Sequence, residues 1–583
     1  MATIQITPFN GMIPLRAANV LPDTNADYCL DACLYSGNLI GFRTASPVYT
    51  LLSSTTLSVY RIPGAGNPSA QIVGSTWLEF PDPFMSVIRS PIAEDSFKRY
   101  YFFPSTSYVG TNPGPQYTTL DRLHAGLAPY TLGIPAPETA PGVSYSGGTE
   151  ATQEVRTYLY TWQSAYGEEG PPGPNTILQG TVDGTWSITL TPPLPADLAN
   201  RNLTVINLYR IVTDTSGSAL FYRITQLDIS ATSYTDTVLD AAATSGLNLE
   251  SSYYTAPPQD LQGVVTMANG ILAGWSNKRE VWFSAAFLPH AWPAPYALTT
   301  DADIIAMAAV GTSLIVLTAS QPWVFTGATP DTVTGGRIAA REPCISRGSV
   351  AWAGEGIYYA SPNGLIMANT MGTQNASQSI ITKEQWNAAN PINFMASKYS
   401  VAYAAFVRGA SGAQAGLLID HINPMAPFTW LSSNGIVNNV YNDEYSGGTF
   451  VVTPTSVYEW HPSTVTSAIP YTWRSKKFRF PFPQQFVAGK IQFSVPAWLG
   501  ISAPTETTRN TSQWQTFNPA TQYLLLKVYV DGQLVYVREL IESGELLMLP
   551  SGFKATYWQF ELSGQVEVTS MEFGTSTKEL QRV

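Results

Sequence analysis

The stretch Leu261–Pro293 constrains the fold more than any other. It reads as three short strands in little more than two dozen residues: Val264–Met267, Ile271–Trp275 and Glu280–Ser284. Asn269-Gly270 supplies the dipeptide that a tight hairpin turn prefers, because both residues tolerate positive φ. Asn277-Lys278-Arg279 makes the second turn, and an aromatic and proline cluster closes the unit. Four comparable units follow, led by Ile304–Met307, Ser349–Trp352, Phe394–Ala396 and Val437–Val440. Their leading turns recur roughly every 41 to 48 residues, the blade period of a β-propeller. The repeat lies in the pattern of strands and turns rather than in identical letters. A sandwich with long meanders matches any two units; five in register favour a propeller.

At 583 residues the chain exceeds one compact core, so several domains are expected. It is 44% hydrophobic and 12% charged, with 45 Gly, 43 Pro and 31 Tyr, a turn-rich β profile rather than a disordered one. The net charge of −11 and the lack of any basic run argue against a protein that grips nucleic acid by its phosphates. Arg474-Ser475-Lys476-Lys477 is the densest basic cluster and falls on an expected strand. The most apolar run, Ile304 to Ala319, is broken by Gly311-Thr312-Ser313, so we expect a strand pair and no membrane span. The start MATIQITPFNG lacks a basic segment followed by an apolar core, and no signal peptide is expected.

The first region, 1–145, opens on an extended stretch. It then presents Ala26, Leu30, Cys33 and Leu34 at helical spacing, with Asp23 or Thr24 as cap and Gly37 as stop. A short amphipathic helix is expected there. Val87–Phe103 reads as a hairpin, one more blade fragment without a sheet of its own, and strands before residue 150 are expected to complete the same propeller as those after Leu261. A Pro/Gly linker from Leu132 to Gly148 precedes a change of pattern. The tyrosine strand Arg156–Trp162, the turn Gly167-Glu168-Glu169-Gly170-Pro171-Pro172 and the close Tyr234-Thr235-Asp236 resemble a fibronectin type III module of about a hundred residues. The reading is an insertion over 150–258, ended by Pro257-Pro258, with the main blades at 259–470. Thr382-Lys383-Glu384-Gln385 is a capping box for a short helix. From Tyr471 the blade rhythm fades into longer strands with Asp531-Gly532 as a hairpin turn, and 471–583 reads as a C-terminal β domain, a second sandwich. The fold class is therefore all-β: a β-propeller with an inserted sandwich, a C-terminal sandwich and few short helices.

Residues able to carry chemistry are sparse. There is no Gly-x-Ser-x-Gly elbow, Walker-type loop or His-Glu-x-x-His. The four histidines, His124, His290, His421 and His461, are not paired at ligand spacing, and His290 and His461 read as structural turn residues. Asp301 and Asp303 present two carboxylates before a strand, a weak divalent-ion motif and more simply a solvated edge. Cys29, Cys33 and Cys344 lack metal-knuckle spacing and read as buried thiols of a reducing compartment. The sequons at Asn202, Asn375 and Asn510 matter only on a secretory route. The aromatic residues fall on alternating strand positions, where cores are built, rather than in sugar-stacking sets, and the Ser-x-Asp-x-Gly-x-x-Trp box of sialidases is missing. No catalytic, cofactor-binding or metal residue is assigned, and the chain is read as non-enzymatic.

Several stretches, taken in order, resemble the tail nozzle (tubular-B class) proteins of short-tailed bacteriophages. They are Phe9-Asn10-Gly11 to Pro22 with Ser36–Leu39, Lys98–Phe102, Tyr130–Pro135, Thr161 to Pro172, Phe287–Pro293, Ile381–Trp386 and Val530-Asp531-Gly532. The likeness covers nearly the whole chain, and its motifs are short and structural. It implies a virion tail protein assembled in the bacterial host cytoplasm. The implied partners are further copies in a homohexameric ring, a head-to-tail adaptor ring, tail fibres, and DNA passing through the channel without specific binding. This chain is shorter than some nozzles, which leaves fewer insertions for fibre or receptor contacts. The competing reading is a phage-borne glycan-binding or glycan-degrading propeller, whose cleaving form needs two acids facing each other across a cleft.

Overall fold

The repeated hairpins fold into four-stranded antiparallel sheets. A computed structural model describes residues 3–62, 77–213, 219–353, 356–423, 427–443, 446–500 and 523–580. The described residues divide into two compact units, one drawn from 3–62, 77–83 and 338–580, the other from 84–337. The division after Arg337 falls inside the run of blades that the repeat marks as 259–470.

In the 84–337 unit, one blade is the meander Gln262–Thr266, Leu272–Ser276, Glu280–Phe283 and Leu298–Thr299. The turns anticipated between its first three strands are present, with Gly270 at φ 76° and Asn277 and Lys278 both at positive φ. The next blade runs Ile304–Val310, Ser313–Thr318, Trp323–Thr326 and Thr334–Arg337. The hairpin around Val87–Phe103 is not a fragment. Ser86–Arg89 and Arg99–Phe103 continue into Gln116–Thr119 and Tyr130–Thr131, a complete sheet of four. The first strands of these blades pack side by side, 262–266 against both 86–89 and 304–310, the propeller arrangement.

Between the 86–131 and 262–299 blades lies the inserted sandwich. One sheet carries Gln153–Ser164 and Leu203–Thr213 at its centre, flanked by Thr176–Thr181 and Ala219–Asp228. The other places Thr185–Thr189 between Gly142–Ser146 and Ser233–Asp236. The module thus takes in a strand ahead of residue 150, and Tyr145 on it packs on Trp186 with ring centroids 5.6 Å apart. Tyr158, Tyr160, Trp186, Ile206 and Leu208 fill the core, the inward half of alternating strands.

The other unit holds the 351–375 and 394–433 blades and a third whose three strands, 439–442, 449–452 and 456–460, take Ser46–Thr50 from the chain start as their fourth. Strands from before the insertion do therefore complete a late blade. Thr382 caps Lys383–Ala388 in the expected box, accepting from the Gln385 N–H while the Gln385 side chain accepts from the Thr382 N–H.

The expected helix near residue 24 is not formed. Asn25–Leu30 and Ala32–Cys33 are strands, and Asn25–Leu30 lies antiparallel to Tyr471–Ser475 and touches Phe428–Ser433. The physical cause of the misleading pattern is visible. A register shift between Ala26 and Tyr28 and a positive φ of 52° at Asp31 break strict alternation, so the buried apolar positions are Ala26, Cys29, Ala32 and Leu34, while Leu30 and Cys33 of the expected helical face are only half-buried. Through this strand the sheet of the 394–433 blade continues into the C-terminal strands 471–475, 555–564, 524–530 and 533–540. A second sheet, Thr3–Ile6, Glu567–Gly574, Ala488–Ser494 and Leu546–Met548, completes the C-terminal sandwich. The Phe560 and Phe573 rings stack 3.9 Å apart between the two sheets. Asp531 and Gly532 both take positive φ, as a two-residue hairpin turn requires.

Asp31 sits where the chain leaves the 394–433 blade. It is 3% exposed, and its carboxylate accepts from the Ser432 N–H at 2.8 Å. Burial pushes this carboxyl up to about 6, against the opposing pull of the Ser432 hydrogen bonds. A raised folded-state value means the group favours folding when protonated, a contribution full below the unfolded value of 3.8 and lost as pH rises through about 6. Asp31→Asn keeps an acceptor and suits a positive φ. It is expected to stabilise the chain at pH 7 by about 2–3 kcal/mol and to make no difference at pH 4. Thermal midpoints of the two proteins at both pH values check this; an equal offset at pH 4 and 7 would contradict it.

Candidate functional site

The residues singled out in the sequence do not converge. Asp301 bonds Arg337 at 3.0 Å and accepts from Trp323 Nε1 at 3.0 Å, whereas Asp303 bonds Arg279 at 2.7 Å. Each carboxylate is committed to its own arginine. Among the described residues no group of three His, Cys, Asp or Glu side chains gathers as a metal site. His461 accepts the Arg43 N–H on Nδ1 at 2.8 Å and packs among Phe42, Tyr399 and Trp460. Burial, reinforced by the Arg43 charge, pushes its imidazole down to about 4. His421 lies beside the Tyr358 hydroxyl at 3.2 Å, and His124 ends the helix Leu120–His124. Cys29 and Cys344 are buried, and burial pushes both thiols up to about 12, the inert extreme for sulfur. Arg474 pairs with Glu561 and Lys476 with Asp23. Asn202 caps a helix, Asn375 donates to the Asn363 carbonyl, and Asn510 lies outside the described residues.

The structure instead gathers charge where the inserted sandwich meets the 86–131 blade. Arg99, 5% exposed, bonds Asp95 through Nε at 2.8 Å and Glu168 through Nη1 at 2.8 Å. Glu168 belongs to the Gly167–Pro172 turn, and its neighbour Glu169 accepts from the hydroxyls of Thr161 and Tyr209. Gly170 lets this turn lie against the preceding linker, because a Cβ there would meet Ile134 Cγ2 at 2.6 Å. On the same linker Gly133, at φ 89°, lies against Ala256 and Pro257, and Arg201 donates to its carbonyl at 2.6 Å. His290 is buried nearby, and burial lowers its imidazole despite the Glu168 carboxylate. Its Nε2 has no hydrogen-bond partner among the described residues. The sequence marked Glu168 and Glu169 only as turn residues, and Arg99 only as part of a hairpin. Their pairing spans 69 positions and has no local signature.

This cluster joins the 86–131 blade to the inserted sandwich, through Arg99 between Asp95 and Glu168. Burial alone would raise the Asp95 carboxyl, yet the hydrogen bond and charge of Arg99 outweigh it and hold the group below its usual range. That is the opposite of what a proton donor to a glycosidic oxygen requires. Above Arg99, the 90–98 loop folds around an open cleft of 520 Å³.

No known family profile matches the chain, and no curated protein does. Among solved structures, the Neurospora crassa Pan2 WD40 domain is 11% identical over 50% of this chain and 86% of its own, with a TM-score of 0.25. The Sif2 C-terminal WD40 domain is 10% identical over 72% of this chain and 99% of its own, at 0.24. The extracellular domain of the putative hybrid two-component system BT4673 from B. thetaiotaomicron is 8% identical over 54% and 40%, at 0.25. Among the described residues no helix is long and apolar enough to cross a membrane.

Proposed function

We propose that this chain is a virion structural protein, the tail nozzle of a short-tailed bacteriophage, acting as a ring of copies at the end of the tail and as a conduit for DNA. What supports the reading is where the resembling stretches lie. Phe9-Asn10-Gly11 seats on Trp473, joining chain start to C-terminal sandwich. Tyr130–Pro135 and the Thr161–Pro172 segment form the two faces of the joint that holds the insertion. Pro289 and Trp292 bond each other within a blade turn, and Gln385 reaches back to the Pro14 carbonyl. These stretches fix how modules are mounted on one another, the property that an architectural role preserves.

Six copies would carry a net charge of about −66, a field that repels a polyanion rather than capturing it. A bore of neutral to acidic character lets DNA slide, because each Lys or Arg held by a phosphate releases counterions and acts as a brake. Mass spectrometry and antibody labelling of purified virions are expected to place the chain at the tail tip. The purified protein is expected to bind duplex DNA only weakly, with little dependence on salt. Absence from virions, or tight salt-sensitive binding with a bore lined by Arg and Lys, would overturn the proposal.

A further inference from the structure

We propose that the cleft in the 90–98 loop binds one anionic sugar unit, a uronate or a sugar phosphate, a role that stands apart from the nozzle reading. The loop joins Ser86–Arg89 to Arg99–Phe103 and is nine residues long, yet it is held in one shape from beneath. Asp95 accepts from the backbone N–H of Phe97 and of Arg99 and from the Arg99 side chain, and Ser90 Oγ accepts from the Ile92 N–H. Phe97 packs against Tyr166 of the inserted sandwich, ring centroids 4.7 Å apart and planes tilted by 60°. A site built this way spends little ordering entropy when a ligand enters.

The charges around the cleft are not equivalent. Arg99 forms its floor, and its guanidinium is already balanced by Asp95 and Glu168. Arg89 and Lys98 line the rim, exposed, and neither has a carboxylate partner among the described residues. Glu94 is the one lining acid not bonded to Arg99, so the uncommitted charge is two cations against one anion. A local positive excess of this kind stands out on a chain of net charge −11. The lining also includes the apolar Pro91 and Ile92, and the exposed Ser96 adds a hydroxyl. An acidic sugar matches that arrangement, with an anionic group for Arg89 and Lys98, a C–H face for Pro91 and Ile92, and ring hydroxyls for Ser96. The volume of 520 Å³ admits one or two pyranose rings.

The test is saturation-transfer NMR and calorimetric titration of the full chain with sodium glucuronate, glucose 6-phosphate and glucose. One saturable site is expected for at least one of the two anionic probes and none for glucose. Which anion binds identifies the source, carboxylate or phosphate. Arg89→Ser and Lys98→Ser are each expected to weaken binding about tenfold, and the double substitution to abolish it. Both side chains are exposed, so thermal midpoints should stay unchanged, and Lys98→Arg should retain binding. Failure of both anions to saturate, equal binding of glucose, or undiminished binding by the double variant would overturn the proposal. Because none of these readouts uses virions or rings, they leave the nozzle reading to its own test.

Discussion

Asp236→Ala is expected to cost the inserted sandwich about 3–5 kcal/mol, the penalty for stranding a buried charge. Asp236 closes the module on its last strand and has a fully buried side chain, as does Arg210, whose guanidinium it bonds. Its Oδ2 also accepts the Tyr158 hydroxyl at 2.7 Å and lies 3.4 Å from Arg156 Nη1, while Oδ1 accepts the Val238 N–H at 2.9 Å. One carboxylate therefore contacts two guanidinium groups, which Glu154 and Asp240 also bond, and ties both sheets together. Without it, Arg210 keeps, among the described residues, the acid partner Asp240, whose side chain is 61% exposed and screened by water. Arg156 keeps its ion pair with Glu154 and its stacking over Trp186, 4.7 Å from the ring centroid. The loss should therefore fall on the Arg210 side of the module. Hydrogen exchange on the full chain reads it directly, because local opening energies report module by module. Protection in Gln153–Ser164 and Leu203–Thr213 should fall by about two to three orders of magnitude, with Ile304–Val310 unchanged. Unaltered protection in the two sandwich strands would refute the account.

Asp236 also shows how much of the fold could be read in advance. Its place at the end of a Tyr-Thr-Asp strand, after a tyrosine strand and a Gly-Pro turn, was visible as a local pattern. So were the hairpin turns at Asn269-Gly270 and Asp531-Gly532 and the Thr382 capping box, because turn and cap chemistry acts within four residues. Its partner Arg210 lies 26 positions away on a strand whose alternation gives no hint that one inward position is charged. The buried joint of Arg99 and Glu168 was hidden for the same reason. The blade at 86–131 was half legible. Arg99–Phe103 is a continuous buried run, but its outer partners are the polar Gln116–Thr119 and the two-residue Tyr130–Thr131, too short to announce a sheet.

The N-terminal segment was misread, and the reason is topological. Thr3–Ile6 pairs with Met571–Gly574, and Asn25–Leu30 with Thr472–Ser475. A strand whose neighbours lie hundreds of residues away has its burial set by them, so bulges and kinks needed for docking erase its own period. The helical spacing of Ala26, Leu30, Cys33 and Leu34 does not match the face that docking buries, which carries Ala26, Cys29, Ala32 and Leu34.

Trp473→Ala should therefore be as damaging as any substitution in the C-terminal sandwich, at about 3–5 kcal/mol for a large buried aromatic. Trp473 is fully buried opposite Cys29, meets Phe9 edge-on with centroids 5.1 Å apart, and donates from Nε1 to the Asn10 carbonyl at 3.0 Å. One side chain thus links Phe9 and Asn10, the strand Asn25–Leu30 and the sheet that receives it. Trp473→Phe keeps a ring against Phe9 but loses the indole N–H bond to the Asn10 carbonyl, and a loss of about 1 kcal/mol is expected. The two effects separate by protease as well as by melting. Arg16 is exposed between the two N-terminal strands, and trypsin should cut there readily in the alanine variant, slowly in the phenylalanine variant and least in the native chain. Cleavage at Arg16 depends on how often the segment lifts off, which tracks the local opening energy when opening and closing are fast. Equal cleavage of all three proteins would mean that Thr3–Ile6 and Asn25–Leu30 are held by their backbone ladders alone. Cleavage in the order stated would mean that Trp473 is the fastening, and that the chain start belongs energetically to the C-terminal sandwich.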